Sequence, residues 1–116
     1  MKVRFFLWDK KSKNPTALYA LIRYDDNRVK VYTSESINPK YWNQKTNAVR
    51  SSAGFAEAPE FNQRLVNIRS TINRVFMAYK NSNEHQSPTA ALLKPMVEAA
   101  LKKDVSGVDF FSFFED

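Results

Sequence analysis

The chain has 116 residues, 43% of them hydrophobic and 14% aromatic. That is enough for one packed core and too apolar for a disordered tail. It has no cysteine, which excludes disulfides and thiolate chemistry. The formal net charge of +6 is uneven: residues 1–50 hold eleven cations against four anions, a net +7, and residues 51–116 hold seven against eight, a net −1.

Residues 2–8 read as a strand, with Val3, Phe5 and Leu7 on one face and Arg4, Phe6 and Trp8 on the other. The apolar run in this opening is too short for a secretory signal, and no stretch approaches a membrane span, so the expected location is the cytoplasm. Asp9–Thr16 is a polar loop with Asn14-Pro15 as a turn signal. A second strand follows over Ala17–Tyr24, with Leu18, Ala20, Ile22 and Tyr24 on one face and Tyr19, Leu21 and Arg23 on the other. Asp25-Asp26-Asn27 supplies a tight turn, because Asp and Asn tolerate left-handed backbone. The third strand, Arg28–Ser34, turns Val29, Val31 and Thr33 inward and Arg28, Lys30 and Tyr32 outward. The three strands are expected to form an antiparallel meander.

Residues 34–50 read as an irregular connection anchored by Ile37 and Trp42. After Gly54, a long helix starts near Pro59; Phe61, Leu65, Ile68, Ile72, Val75 or Phe76, and Tyr79 recur at helical spacing as one apolar stripe. The stripe is expected to cover the inner face of the sheet and leave the outer face free. Arg64, Arg69 and Arg74 then face solvent. Ser87-Pro88 reads as a cap and first-turn proline. Pro95 disfavours helical geometry at Lys94, so this segment is expected to be kinked or split into helices 88–93 and 95–103. The tail, DFFSFFED, carries four phenylalanines in eight residues. An apolar helix starting so near the terminus suggests that the chain is a fragment of a longer one.

Catalytic and metal chemistry find little to work with. The one histidine, His85, lies in a polar linker, and no carboxylates stand at ligand spacing to it. Two glycines, Gly54 and Gly107, make no phosphate loop. Asp25 and Asp26 are explained by the turn, and the serines have no plausible base except His85, a pairing that nothing local supports. The expectation is no catalytic residue, no metal, no cofactor and no small-molecule substrate.

A basic sheet braced by a near-neutral helix fits a nucleic-acid reader. The residues expected to make contact are Arg4, Tyr19, Arg23, Arg28, Lys30 and Tyr32 on the sheet, and Lys10, Lys11, Lys13, Lys45 and Arg50 in flanking segments. A narrow sheet of this kind can enter the major groove, with arginines reading guanine edges and lysines holding phosphates. Two other readings stay open. Tyr19 and Tyr32 could stack unpaired bases in an RNA- or single-strand-binding domain. Phe6, Trp8 and the Phe110–Phe114 cluster could serve a protein-interaction module. Trp42 is expected to be a core anchor, and Phe6 and Trp8 to be covered by residues 34–58.

The order of strand, basic loop, strand ending in Ile22-Arg23, tight turn and strand, followed by Ile37-x-Pro39-x-x-Trp42-Asn43-x-Lys45, resembles the N-terminal arm-binding domain of phage-integrase-type tyrosine recombinases. It is most similar to those of mobile elements in Bacteroides-like bacteria. The glycine frequent in that family's second and third loops is replaced here by Asn14 and Asn27. The resemblance implies an α+β fold, a three-stranded antiparallel sheet packed on one face by a long helix and one or two short ones. It implies an arm-type DNA-binding domain over residues 1–108, made of a sheet over 2–34, a Trp-containing connection over 35–58 and helices over 59–80 and 88–103. Residues 109–116 would open a truncated core-binding domain. The implied partners are double-stranded DNA and the rest of the recombinase, whose catalytic tyrosine lies elsewhere; the implied task is binding arm-type sites, without a membrane.

Overall fold

In a computed structural model, residues 1–50 and 55–109 are described, the last seven of them for backbone only. Gly54 and the DFFSFFED segment from residue 110 onward, expected to open a second domain, lie outside the described residues. Five strands and two helices follow in order: β1 (Lys2–Leu7), β2 (Thr16–Tyr24), β3 (Asn27–Ile37), β4 (Trp42–Asn43), β5 (Ala48–Val49), α1 (Ala58–Ser82) and α2 (Ala90–Asp109). The architecture is α+β. β1, β2 and β3 form an antiparallel meander in that order, and β4 and β5 form a separate small hairpin.

The strand alternation is the one that the sequence predicts. Phe5, Leu18, Ala20, Ile22, Tyr24, Val29 and Val31 are buried on the inner face. Asp25, at φ 51°, supplies the left-handed residue of the turn between Tyr24 and Asn27, which pair across it. β3 runs on past Ser34 to Ile37 through a bulge. Between the pairs Tyr19–Tyr32 and Ala17–Ser36, three residues of β3 face Leu18 alone, and Ser34 takes φ 67°. The Thr33 hydroxyl donates to the Leu18 carbonyl at 2.9 Å inside this irregularity. Glu35 is thereby placed to pair with Arg64 of α1 at 3.0 Å.

α1 lays Phe61, Leu65, Ile68, Ile72 and Phe76 against the sheet. Its expected stripe is therefore the core-facing side, with Val75 packed at the margin. Of the three arginines expected in solvent, Arg64 and Arg74 are exposed, but Arg69 is not. Arg69 lies over the Phe5 ring, its guanidinium carbon 4.9 Å from the centroid. Its Nη2 donates to Asn47 Oδ1 at 3.0 Å and its Nε to the Val3 carbonyl at 3.3 Å. A long aliphatic stem at the stripe margin can cover apolar surface while its head finds acceptors at the sheet edge.

α2 corrects the expected start and decides between the expected alternatives at Pro95. Thr89 rather than Ser87 stands at its start, its hydroxyl accepting the Leu92 N–H at 3.3 Å. Pro88 is buried, and its carbonyl accepts the Tyr24 hydroxyl at 2.7 Å. Of the kinked and split forms expected around Pro95, the split one is excluded, because the helix runs unbroken from Ala90 to Asp109. Leu93, Val97 and Leu101, each four residues apart, are all buried on one stripe. Burying that stripe outweighs the single helical bond that a proline removes.

The connection expected to be irregular has structure of its own. Pro39–Tyr41 form a 3₁₀ turn capped by the Asn38 side chain, and β4 and β5 close a hairpin around Asn47, at φ 57°. Trp42 is a core residue as expected, 4% exposed. Asn47 is the hairpin's link to the sheet. The Phe5 N–H donates to Asn47 Oδ1 at 2.7 Å, and Asn47 Nδ2 donates back to the Phe5 carbonyl at 2.8 Å. Gln44 Nε2 reaches the same carbonyl at 2.9 Å. These amides occupy the free edge of β1 at Phe5, where another strand would otherwise pair.

Candidate nucleic-acid interface

With α1 and α2 beneath, the outer face of the meander is the open one. Register sorts its side chains into rows across the strands. Lys2, Arg23 and Arg28 stand abreast nearest the β2–β3 turn. Arg4, Leu21 and Lys30 form the middle row, and Phe6, Tyr19 and Tyr32 the far row, with Trp8 just beyond. No outward strand position in these rows is acidic. Arg23 directly opposite Arg28, with Lys2 alongside, is unfavourable for a sheet in isolation, because like charges facing across strands repel. The arrangement concentrates positive potential on one face.

The far row is a packed aromatic group. The Phe6 and Tyr19 rings are stacked, with centroids 5.7 Å apart. Trp8 meets Tyr19 edge-on at 5.9 Å and Tyr32 at a tilt at 5.7 Å. The Lys30 ammonium lies 4.5 Å from the Tyr19 centroid and 4.9 Å from that of Trp8. The expected cover over Trp8 is not there: Trp8 is 54% and Tyr32 50% exposed. The 3₁₀ turn and the hairpin that follow β3 pack with Trp42 and Val49 into the core instead.

The flanking cations sit in ordered segments. In the β1–β2 loop, Asp9 Oδ1 accepts the Lys11 N–H at 3.1 Å, and Asn38 Nδ2 donates to the Lys13 carbonyl at 3.0 Å. Lys10, Lys11 and Lys13 are all exposed on this pinned loop beside Trp8. Arg4 donates through Nη2 to the Gln44 carbonyl at 2.6 Å, which brings it next to the β4–β5 turn carrying Lys45. Arg50 follows β5, its N–H bonded to the Tyr41 carbonyl at 2.8 Å, and belongs to none of the sheet rows. Thus Arg4, Tyr19, Arg23, Arg28, Lys30 and Tyr32 share one face, and Lys10, Lys11, Lys13 and Lys45 lie on flanking loops.

Sequence reasoning missed Lys2 as a member of this face. The alternation that puts Arg4 outward also puts Lys2 outward, so the signal was present at the first turn of the strand pattern. Two groups under the face have displaced ionisation. Burial lowers the Arg69 pKa, with nearby Arg4 adding to the effect, and burial together with the Asp25 charge raises that of Tyr24. Among the described residues, no cluster of acids and histidine could hold a metal, and no helix is long and apolar enough to cross a membrane.

Fold and face together define a small α+β binding module with one basic, partly aromatic sheet surface. Residues 5–94 match the family model described as an arm DNA-binding domain, and the chain belongs to that family, which is found in phage-integrase-type recombinases. The match begins at Phe5 in β1 and runs through the sheet, the hairpin and α1 into α2. Comparison with curated proteins and with solved structures gives no match. The domain is a non-catalytic one, and its partner is DNA.

Proposed function

We propose that the chain binds duplex DNA sequence-specifically at arm-type sites, with the outer face of β1–β3 in the major groove. The observation that carries this reading is the row of Lys2, Arg23 and Arg28 abreast, on strand rows that hold no acid. Three strands spaced about 4.8 Å apart make a backbone ribbon roughly 10 Å across, against a major groove about 12 Å wide. Arg23 and Arg28 supply forked donors for guanine O6 and N7, and the loop lysines supply phosphate contacts. Residues 1–108 act in this reading as the N-terminal module of a tyrosine recombinase. The core-binding domain begins at 109–116, and catalysis is carried out by other residues of the full protein. Arm-site binding of this kind tethers the recombinase away from the crossover point, at the chromosome in the bacterial cytoplasm.

The test is a paired titration against selected and scrambled duplexes. Arg23→Ala or Arg28→Ala should narrow the gap between the two by roughly 1–3 kcal/mol, the value of one base-edge contact. Lys11→Ala or Lys13→Ala should weaken both duplexes alike. Lysine variants that lose discrimination while arginine variants keep it would show that the wrong face has been assigned to the groove.

A further inference from the structure

The basic end of the outer face has a role in the reading above; the aromatic end has none. Trp8 and Tyr32 are about half exposed, and with Phe6 and Tyr19 they form a continuous apolar surface on a face whose remaining rows, Leu21 apart, are cationic. The charge around them states what can cover it. Lys30 lies over the rings, and Lys10, Lys11 and Lys13 project from the adjoining loop. The nearby carboxylate of Asp9 is turned back onto its own loop, accepting the Lys11 N–H. An apolar patch ringed by cations suits a polyanion that carries apolar groups among its phosphates.

Ring geometry decides which polyanion. An unpaired base needs an open aromatic face to stack on. Around Tyr19 those faces are taken: Phe6 stacks on it at an interplanar angle of 25°, Trp8 stands at 82° to it, and the Lys30 ammonium lies 4.5 Å from its centroid and 4.9 Å from that of Trp8. The two half-exposed rings, Trp8 and Tyr32, are tilted 45° to each other and so make an apolar corner, not a flat platform, which suits small apolar groups. In the major groove the apolar group on offer is the C5-methyl of thymine.

Building on the duplex reading, we infer that Trp8 and Tyr32 form a thymine-methyl contact surface, so that the outer face reads its site with a fixed polarity. The Tyr19–Tyr32 row lies four residues along the strands from the Arg23–Arg28 row. At about 3.3 Å per residue that is roughly 13 Å, several times the 3.4 Å rise of a base pair, so the two rows meet different base pairs. Guanine-reading and thymine-reading ends therefore fall at separate positions of one site.

The experiment uses the 116-residue chain. A duplex is selected from a randomised pool, then remade with deoxyuridine for each thymine in turn, which removes only the methyl group. One position, away from those sensitive to Arg23→Ala or Arg28→Ala, should weaken by about fourfold on methyl loss, the value of one buried methyl. In Trp8→Ala or Tyr32→Ala that ratio should fall toward one, while Arg28→Ala lowers affinity and keeps it. Both aromatics lie outside the core, and a thermal melt of each variant verifies folding. If the wild-type ratio is one at every position, or if it survives in both aromatic variants, the inference is overturned and the duplex reading stands. Tighter binding to the corresponding single strand, lost in Trp8→Ala, would overturn it in favour of base stacking. A chain that enriches no duplex would take the arm-site reading down with it.

Discussion

Asn47 joins three parts of the molecule through one amide. It accepts from the Phe5 N–H and from Arg69, and it donates to the Phe5 carbonyl, while its backbone occupies φ 57°. Asparagine is suited to both tasks, having a donor and an acceptor on one planar group and tolerance for left-handed backbone. Asn47→Ala should strand the Phe5 N–H and add backbone strain, at a cost of roughly 2–4 kcal/mol in urea unfolding, most of it the unmade buried bond. An unchanged midpoint would show that the hairpin is not held through this residue. Tyr24 makes a second prediction. Its hydroxyl donates to the Pro88 carbonyl, and burial raises its pKa above the ordinary value near 10. The unfolded chain therefore releases this proton at lower pH than the folded one. The contribution to stability is fully present below pH 10 and is lost as pH rises through the folded value. Tyr24→Phe should flatten the alkaline fall in melting temperature relative to the wild type.

At the scale of elements, α1 braces a sheet whose other face is left open. Its stripe buries Leu65 and Ile72 with 2% and 0% exposure. Leu65→Ala or Ile72→Ala should each cost roughly 2–5 kcal/mol by removing buried atoms and leaving a cavity. In a domain of this size that is a large share of total stability. Thermal melts of both variants measure it, and wild-type behaviour in both would mean that α1 does not carry the sheet. The small hairpin has a separate task. By presenting Asn47 and Gln44 to β1, it occupies an edge that could otherwise pair with another chain. It also places Lys45 beside Arg4, extending the basic surface beyond the sheet.

For the whole molecule, charge is divided by layer. The sheet half carries a net +7 and the half containing both helices −1. DNA approaching such a body is steered to one side of it. If about four to six phosphates are neutralised, the logarithm of the association constant should fall with the logarithm of salt concentration at a slope near −4 to −5. Titrations across a salt series read this directly. A flat dependence would be incompatible with binding through the basic face.

Strand alternation, the turn at Asp25, the α1 stripe and the basic half were legible in the sequence, because each depends on neighbours two to four residues apart. Period-2 and period-3.6 patterns follow from local backbone geometry, and so does the outward grouping of Arg23, Arg28, Lys30 and Tyr32. The features that were misread or left open depend on packing that local patterns do not show. Arg69 leaves solvent because Val3 and Asn47, 66 and 22 residues away, offer acceptors. Pro95 stays inside a helix because Leu93, Val97 and Leu101 bury one continuous face. Trp8 remains exposed because residues 38–50 spend their apolar side chains, Trp42 and Val49, on the core. Local periodicity fixes which face a side chain takes; only the packed chain determines what lies over that face.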